Sequence, residues 1–99
     1  MNDSTHTARN APPDVCEFNR RAAKALRSVE FRAAPDGGQS FDERFGADIV
    51  KWIDNNVSLT DKQQLSLFRL VDRYHRQIWD KTAVAFAQRA LDGRRRAET

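Results

Sequence analysis

One cysteine, four glycines and three prolines are all that this 99-residue chain holds of the residues that staple, bend or break a backbone. The single Cys16 cannot close an internal disulfide, so a fold must rest on an apolar core. Cys16 itself reads as a small, partly buried side chain, because the sequence sets no base beside it to make it a nucleophile. With only two histidines, His6 and His75, and that one thiol, the ligands are too few and too scattered for a metal centre. No apolar run approaches the ~20 residues that span a membrane. Residues 1–13 are polar and lack the apolar core of a secretion signal, so a cytoplasmic protein without a membrane role is expected.

Other absences narrow the fold and the chemistry. No segment alternates apolar and polar residues as a half-buried strand does, and no period marks a repeat. Gly37-Gly38 lacks the spacing and the lysine of a phosphate loop. Zinc-finger ligands, the aromatic ribonucleoprotein signature and a basic zipper are all missing. Asp72 and His75 stand three apart and would touch on a helix. No nucleophile completes a catalytic set with them, and such pairs are ordinarily surface electrostatics. The sequence therefore points to no enzyme, no catalytic residue and no cofactor.

What is present is helical periodicity. The expectation is an all-α fold: a small bundle of three to four short helices over residues 14–93, with a flexible arm over 1–13 and a basic tail over 94–99. Asp14 reads as the cap of a first helix, with Glu17 in its first turn. Val15, Phe18, Ala22, Leu26 and Val29 follow at helical spacing, fading near Glu30. Pro35-Asp36-Gly37-Gly38 is turn chemistry. Ser40-Phe41-Asp42-Glu43 has the form of a capping box. Phe41, Phe45, Ile49, Trp52 and Ile53 supply the stripe behind it, and Asp54-Asn55-Asn56 ends it. The short connector that follows makes helices two and three packed neighbours. Thr60-Asp61-Lys62-Gln63 is a second capping box, opening a helix with Leu67, Leu70, Val71, Tyr74 and Ile78 on one face. Asp80 reads as a fresh cap for a fourth helix over 81–91, with Gly93 as its stop. A continuous helix through Asp80 is the alternative.

The basic residues are mostly arginine, 13 against four lysines, and the net charge is +3. The guanidinium fork suits phosphates and carboxylates, although a GC-rich genome also favours arginine. At about 100° per residue, Arg69, Arg73 and Arg76 fall together, opposite the apolar stripe of helix three. Such a face either binds phosphates or is a solvated surface paired with Asp72 and Asp80. Helix one carries a second basic face of Arg20, Arg21, Lys24 and Arg27, and Arg94-Arg95-Arg96 forms a third cluster. Arg69, Arg73, Arg76, Arg20, Lys24 and Arg27 are the candidate contacts to a DNA or RNA backbone. A helix-turn-helix is disfavoured by the mid-helix arginines and by the lack of a short glycine turn. Leu65, Phe68 and Trp79 lie off the main stripe. They are either core or the contact to a partner protein or a second copy in a homodimer, with Trp79 as anchor.

Leu59-Thr60-Asp61-Lys62-Gln63, followed by Leu70-Val71-Asp72-Arg73-Tyr74-His75-Arg76-Gln77-Ile78, resembles a helical segment of small phage and mobile-element proteins. The same segment occurs in accessory regions of some bacterial helicase-like proteins. The likeness is confined to residues 59–78. It implies a phage or mobile-element context and carries over no catalytic residue. Two functions fit that context. One is a small nucleic-acid-associated module. The other is an inhibitor or adaptor, of the anti-CRISPR kind, that docks on a host protein.

Overall fold

The computed structural model describes residues 13–98, with side chains through residue 94. Apart from Pro13, the arm expected over 1–13 lies outside the described residues. Four helices form: α1 (Pro13–Leu26), α2 (Phe41–Asp54), α3 (Asp61–Arg73) and α4 (Lys81–Glu98). No strand occurs among the described residues, so the all-α expectation holds.

The helix ends show how local chemistry sets the frame. α1 starts at Pro13, one residue before the expected cap. Proline suits a first helical position, where its missing N–H has no partner to lose. Asp14 therefore sits in the first turn, its Oδ1 accepting from the Val15 amide at 2.9 Å. α2 is capped by Ser40, whose hydroxyl accepts from the Glu43 amide at 3.1 Å. It closes through Asn56 at φ 58°. There the amides of Val57 and Asn56 donate to the Trp52 and Ile53 carbonyls at 2.8 and 3.0 Å. That is a Schellman closure with asparagine in the position glycine usually takes. At α3 both halves of the Thr60/Gln63 box are made, at 2.9 and 3.1 Å.

α3 stops at Arg73 instead of running on to Ile78, so the continuous alternative does not occur. Residues 74–77 form a turn held by amides of Gln77 and Ile78 donating to the Tyr74 and His75 carbonyls. Side chains add second contacts to carbonyls of this turn: His75 Nδ1 meets the Asp72 carbonyl at 2.7 Å, and Lys81 Nζ donates to the His75 carbonyl at 2.8 Å. Asp80 then caps α4, accepting from the Ala83 amide at 3.1 Å. α4 runs through Gly93 to Glu98, so Gly93 is not a stop and residues 94–98 are helical, not a separate tail. Gly93 has no positive φ, and without that left-handed turn a glycine weakens a helix but does not end it.

α3 packs mainly on α4, and α1 on α2, while α1 also meets α4 and α2 also meets α3. Phe18, Ile49, Leu67, Leu70, Val71 and Ile78 form the deepest part of the core. Phe18 lies 5.1 Å from Phe68 and 5.2 Å from Phe86, ring centre to ring centre, which joins α1, α3 and α4. The 29–40 connector is pinned by Phe31. Its ring lies edge-on to Tyr74 at 5.1 Å. It also fills the space over Gly46, where an added Cβ would come within 2.7 Å of the ring.

Candidate nucleic-acid interface

The end of α3 and the turn after it gather more arginines than the sequence placed there. Arg73 donates to Asp42 Oδ1 at 2.6 Å, and the Tyr74 hydroxyl donates to Asp42 Oδ2 at 2.9 Å. The same hydroxyl accepts the Arg32 amide at 3.2 Å. The Gln77 side chain pairs with Glu30 like a strand edge, accepting its amide at 2.7 Å and donating to its carbonyl at 3.0 Å. These bonds lay the 30–32 segment alongside the turn and add Arg32 to the group. Sequence reasoning missed Arg32, since only Phe31 and Glu30 bound to distant partners bring it there. Burial, above all, raises the Tyr74 phenol above its usual value, with Asp42 adding to the rise and the Arg32 charge opposing it.

Arg69 and Arg76 are exposed and make no ion pair among the described residues. Of the two carboxylates that could pair with them, only Asp80 is spent on another cation, Arg21, while Asp72 keeps its charge. Asp72 accepts from Gln88 Nε2 at 3.1 Å, and Asp80 is turned into the bundle. Of Arg32, Arg69, Arg73 and Arg76, only Arg73 is engaged by a carboxylate among the described residues, Asp42.

The basic face of α1 has the opposite character. Arg20 and Arg21 both hold Glu17, at 2.7 and 3.2 Å. Arg21 also reaches the buried Asp80, with Nη1 3.1 and 3.0 Å from its two oxygens. Arg27 pairs with Asp54. Hydrogen bonds from Arg20 and then Arg21 hold the Glu17 carboxyl below its usual range. Glu17 first, and then Asp80, push the Arg21 guanidinium further above its own. Among the described residues Lys24 is not in an ion pair, and its ammonium stands 5.9 Å from the centre of the Trp79 ring.

The apolar flank is divided. Leu65 is half-buried and Phe68 is core, but Trp79 is 59% exposed. Phe41, expected in the stripe of α2, is also outside the core and stacks on Phe45 at 5.8 Å. Arg94 is exposed, while the side chains of Arg95 and Arg96 lie outside the described residues.

Among the described residues no cluster of histidine, cysteine and carboxylates is arranged to hold a metal ion. No described helix is long and apolar enough to cross a membrane. No protein-family model, no curated protein and no solved structure matches the chain.

Proposed function

We propose that this chain is a non-catalytic binding module for nucleic acid, with phosphates held by Arg69, Arg73 and Arg76 together with Arg32. The observation that carries this reading is that Arg32, Arg69 and Arg76 are exposed and in no ion pair among the described residues. The Arg32 amide is bonded to the Tyr74 hydroxyl next to Arg73, which is itself held by Asp42. Guanidinium groups that are in no ion pair can clamp phosphate oxygens without first displacing a carboxylate. Lys24 extends the surface. Arg73, Arg20 and Arg27 contribute less, since a phosphate must displace Asp42, Glu17 or Asp54 to engage them.

The test is titration of labelled oligonucleotides at increasing salt. Affinity should fall linearly with the logarithm of salt, by close to one unit of slope per phosphate contact. Absence of binding to duplex and to single strands at low salt would overturn the proposal.

A protein partner, as for a phage-type inhibitor or adaptor, is the second reading. Phe41 favours it, being 72% exposed and stacked on Phe45, which is the kind of ring an interface anchors on. Phe41→Ala should then abolish capture of a specific host protein and leave helicity intact. Unchanged capture would exclude that surface.

A further inference from the structure

We infer that Trp79 is a base-stacking platform and that the nucleic acid bound is single-stranded. The inference rests on the nucleic-acid reading above and gives it a substrate class.

Trp79 is exposed in an unusual way. It is not on a loose loop. Ile78 before it is 1% exposed and Asp80 after it is 6% exposed. The Ile78 side chain is packed in the core, and Asp80 is fixed by the Ala83 amide and by Arg21. The backbone on both sides of the ring is therefore clamped, and the indole projects into solvent. A large ring left in water forgoes the gain of burial, yet here it loses little entropy when something stacks on it.

The surroundings select the ligand. The stretch from Arg73 to Lys81 carries Arg73, Arg76 and Lys81, and its one acid, Asp80, is buried and matched. Lys24 stands over the indole from α1. Among the described residues no other ring stacks on Trp79. A cation, a flat ring and another cation thus follow one another along the linker between α3 and α4. That linker joins the two basic regions, since Gln77 is bonded to Glu30 and Asp80 to Arg21. A single strand offers the complementary series, one phosphate and one accessible base face per nucleotide. In a duplex the base faces are stacked on each other and closed to the indole. Aromatic rings interleaved with a basic track are the means by which single strands are held without sequence preference.

The experiment compares a labelled single strand with a duplex of the same sequence, using wild type, Trp79→Leu and Trp79→Phe. Helicity measured by circular dichroism checks each fold. The expected result is tighter binding of the single strand by wild type. Trp79→Leu should lose about 10-fold or more of that affinity, and Trp79→Phe less, since a smaller ring still stacks. The dependence on salt should keep its slope in both variants, because no phosphate contact is removed. Equal binding of strand and duplex by wild type, or single-strand binding by Trp79→Leu equal to wild type, would overturn the stacking platform and leave phosphate binding standing. Failure to bind either form at low salt would overturn both.

Discussion

The two basic faces of this bundle are built from the same kinds of residue and come to different ends. On the α1 side, Arg20 is matched within the helix by Glu17, while Arg21 and Arg27 reach Asp80 and Asp54 and so tie elements together. Around the end of α3, Arg73 pairs with Asp42, while Arg32, Arg69 and Arg76 are in no ion pair among the described residues. The first face is mostly architecture, and the second is mostly unspent charge. Counting basic residues along a helix does not separate the two cases. What separates them is where each carboxylate of the fold is committed.

The largest effect that sharpens this contrast should come from charge reversal on the unspent face. We expect Arg69→Glu/Arg76→Glu to weaken oligonucleotide binding by on the order of 100-fold at low salt, with the unfolding midpoint unchanged. Fluorescence anisotropy and thermal unfolding measure the two sides. A large drop in stability would place these arginines in the architecture as well.

On α1 the cost should appear as stability. Asp80→Ala removes the cap of α4, for which we expect a loss of about 1–2 kcal/mol in denaturant unfolding, with the loss of the Arg21 pairing added to it. Because Asp80 is buried, Asp80→Asn separates these roles: the amide oxygen still caps and the charge is gone. If both variants unfold like wild type, the α1 face is not structural.

Gly46→Ala tests how the missed Arg32 is delivered. The new methyl group must push aside the Phe31 ring that pins the connector. Overpacking of this kind costs about 1–3 kcal/mol, partly offset by a gain of up to about 1 kcal/mol in helix propensity. We expect a net loss of about 1 kcal/mol and a measurable loss of affinity as Arg32 shifts. A more stable variant with full affinity would contradict the role given to Phe31.

The smallest effects are those of pH. The Glu17 carboxyl is lowered in the folded state, so its contribution is complete above its unfolded value and disappears as pH falls through the folded one. Wild type should therefore lose its small advantage over Glu17→Gln in the acid carboxylate range. Tyr74 is raised, so its contribution is complete below the ordinary phenol value of 10.0 and is lost as pH rises through the folded value. Tyrosinate absorbance, compared in folded and unfolded protein, reads that shift.

The helices were legible because their signals are local. Ser40 and Thr60 announce two starts, Asn55-Asn56 one end, and Asp80 the break before α4, each through a side chain that meets a backbone group a few residues away. The misplaced ends have the same origin. Tyr74, Arg76 and Ile78 kept helical spacing although their backbone had turned, since a tight turn preserves nearly the same periodicity. Gly93 was read as a stop because composition does not reveal its φ. The candidate surface was legible as residue types and not as a place. Arg69, Arg73 and Arg76 could be grouped by spacing. The pairing of Arg27 with Asp54, the reach of Arg21 to Asp80 and the seat of Phe31 on Gly46 all depend on contacts far apart in sequence. Those contacts decide which arginines are left over.

The most direct measurement sets two neutral double variants side by side in oligonucleotide titrations over a salt series. Arg69→Gln/Arg76→Gln should flatten the dependence on salt by about 1.4–1.8 units of slope, the share of two phosphate contacts. Arg20→Gln/Arg27→Gln should stay close to wild type in slope and lose stability instead. Equal flattening by both pairs, or the greater flattening by the α1 pair, would contradict the division between spent and unspent charge.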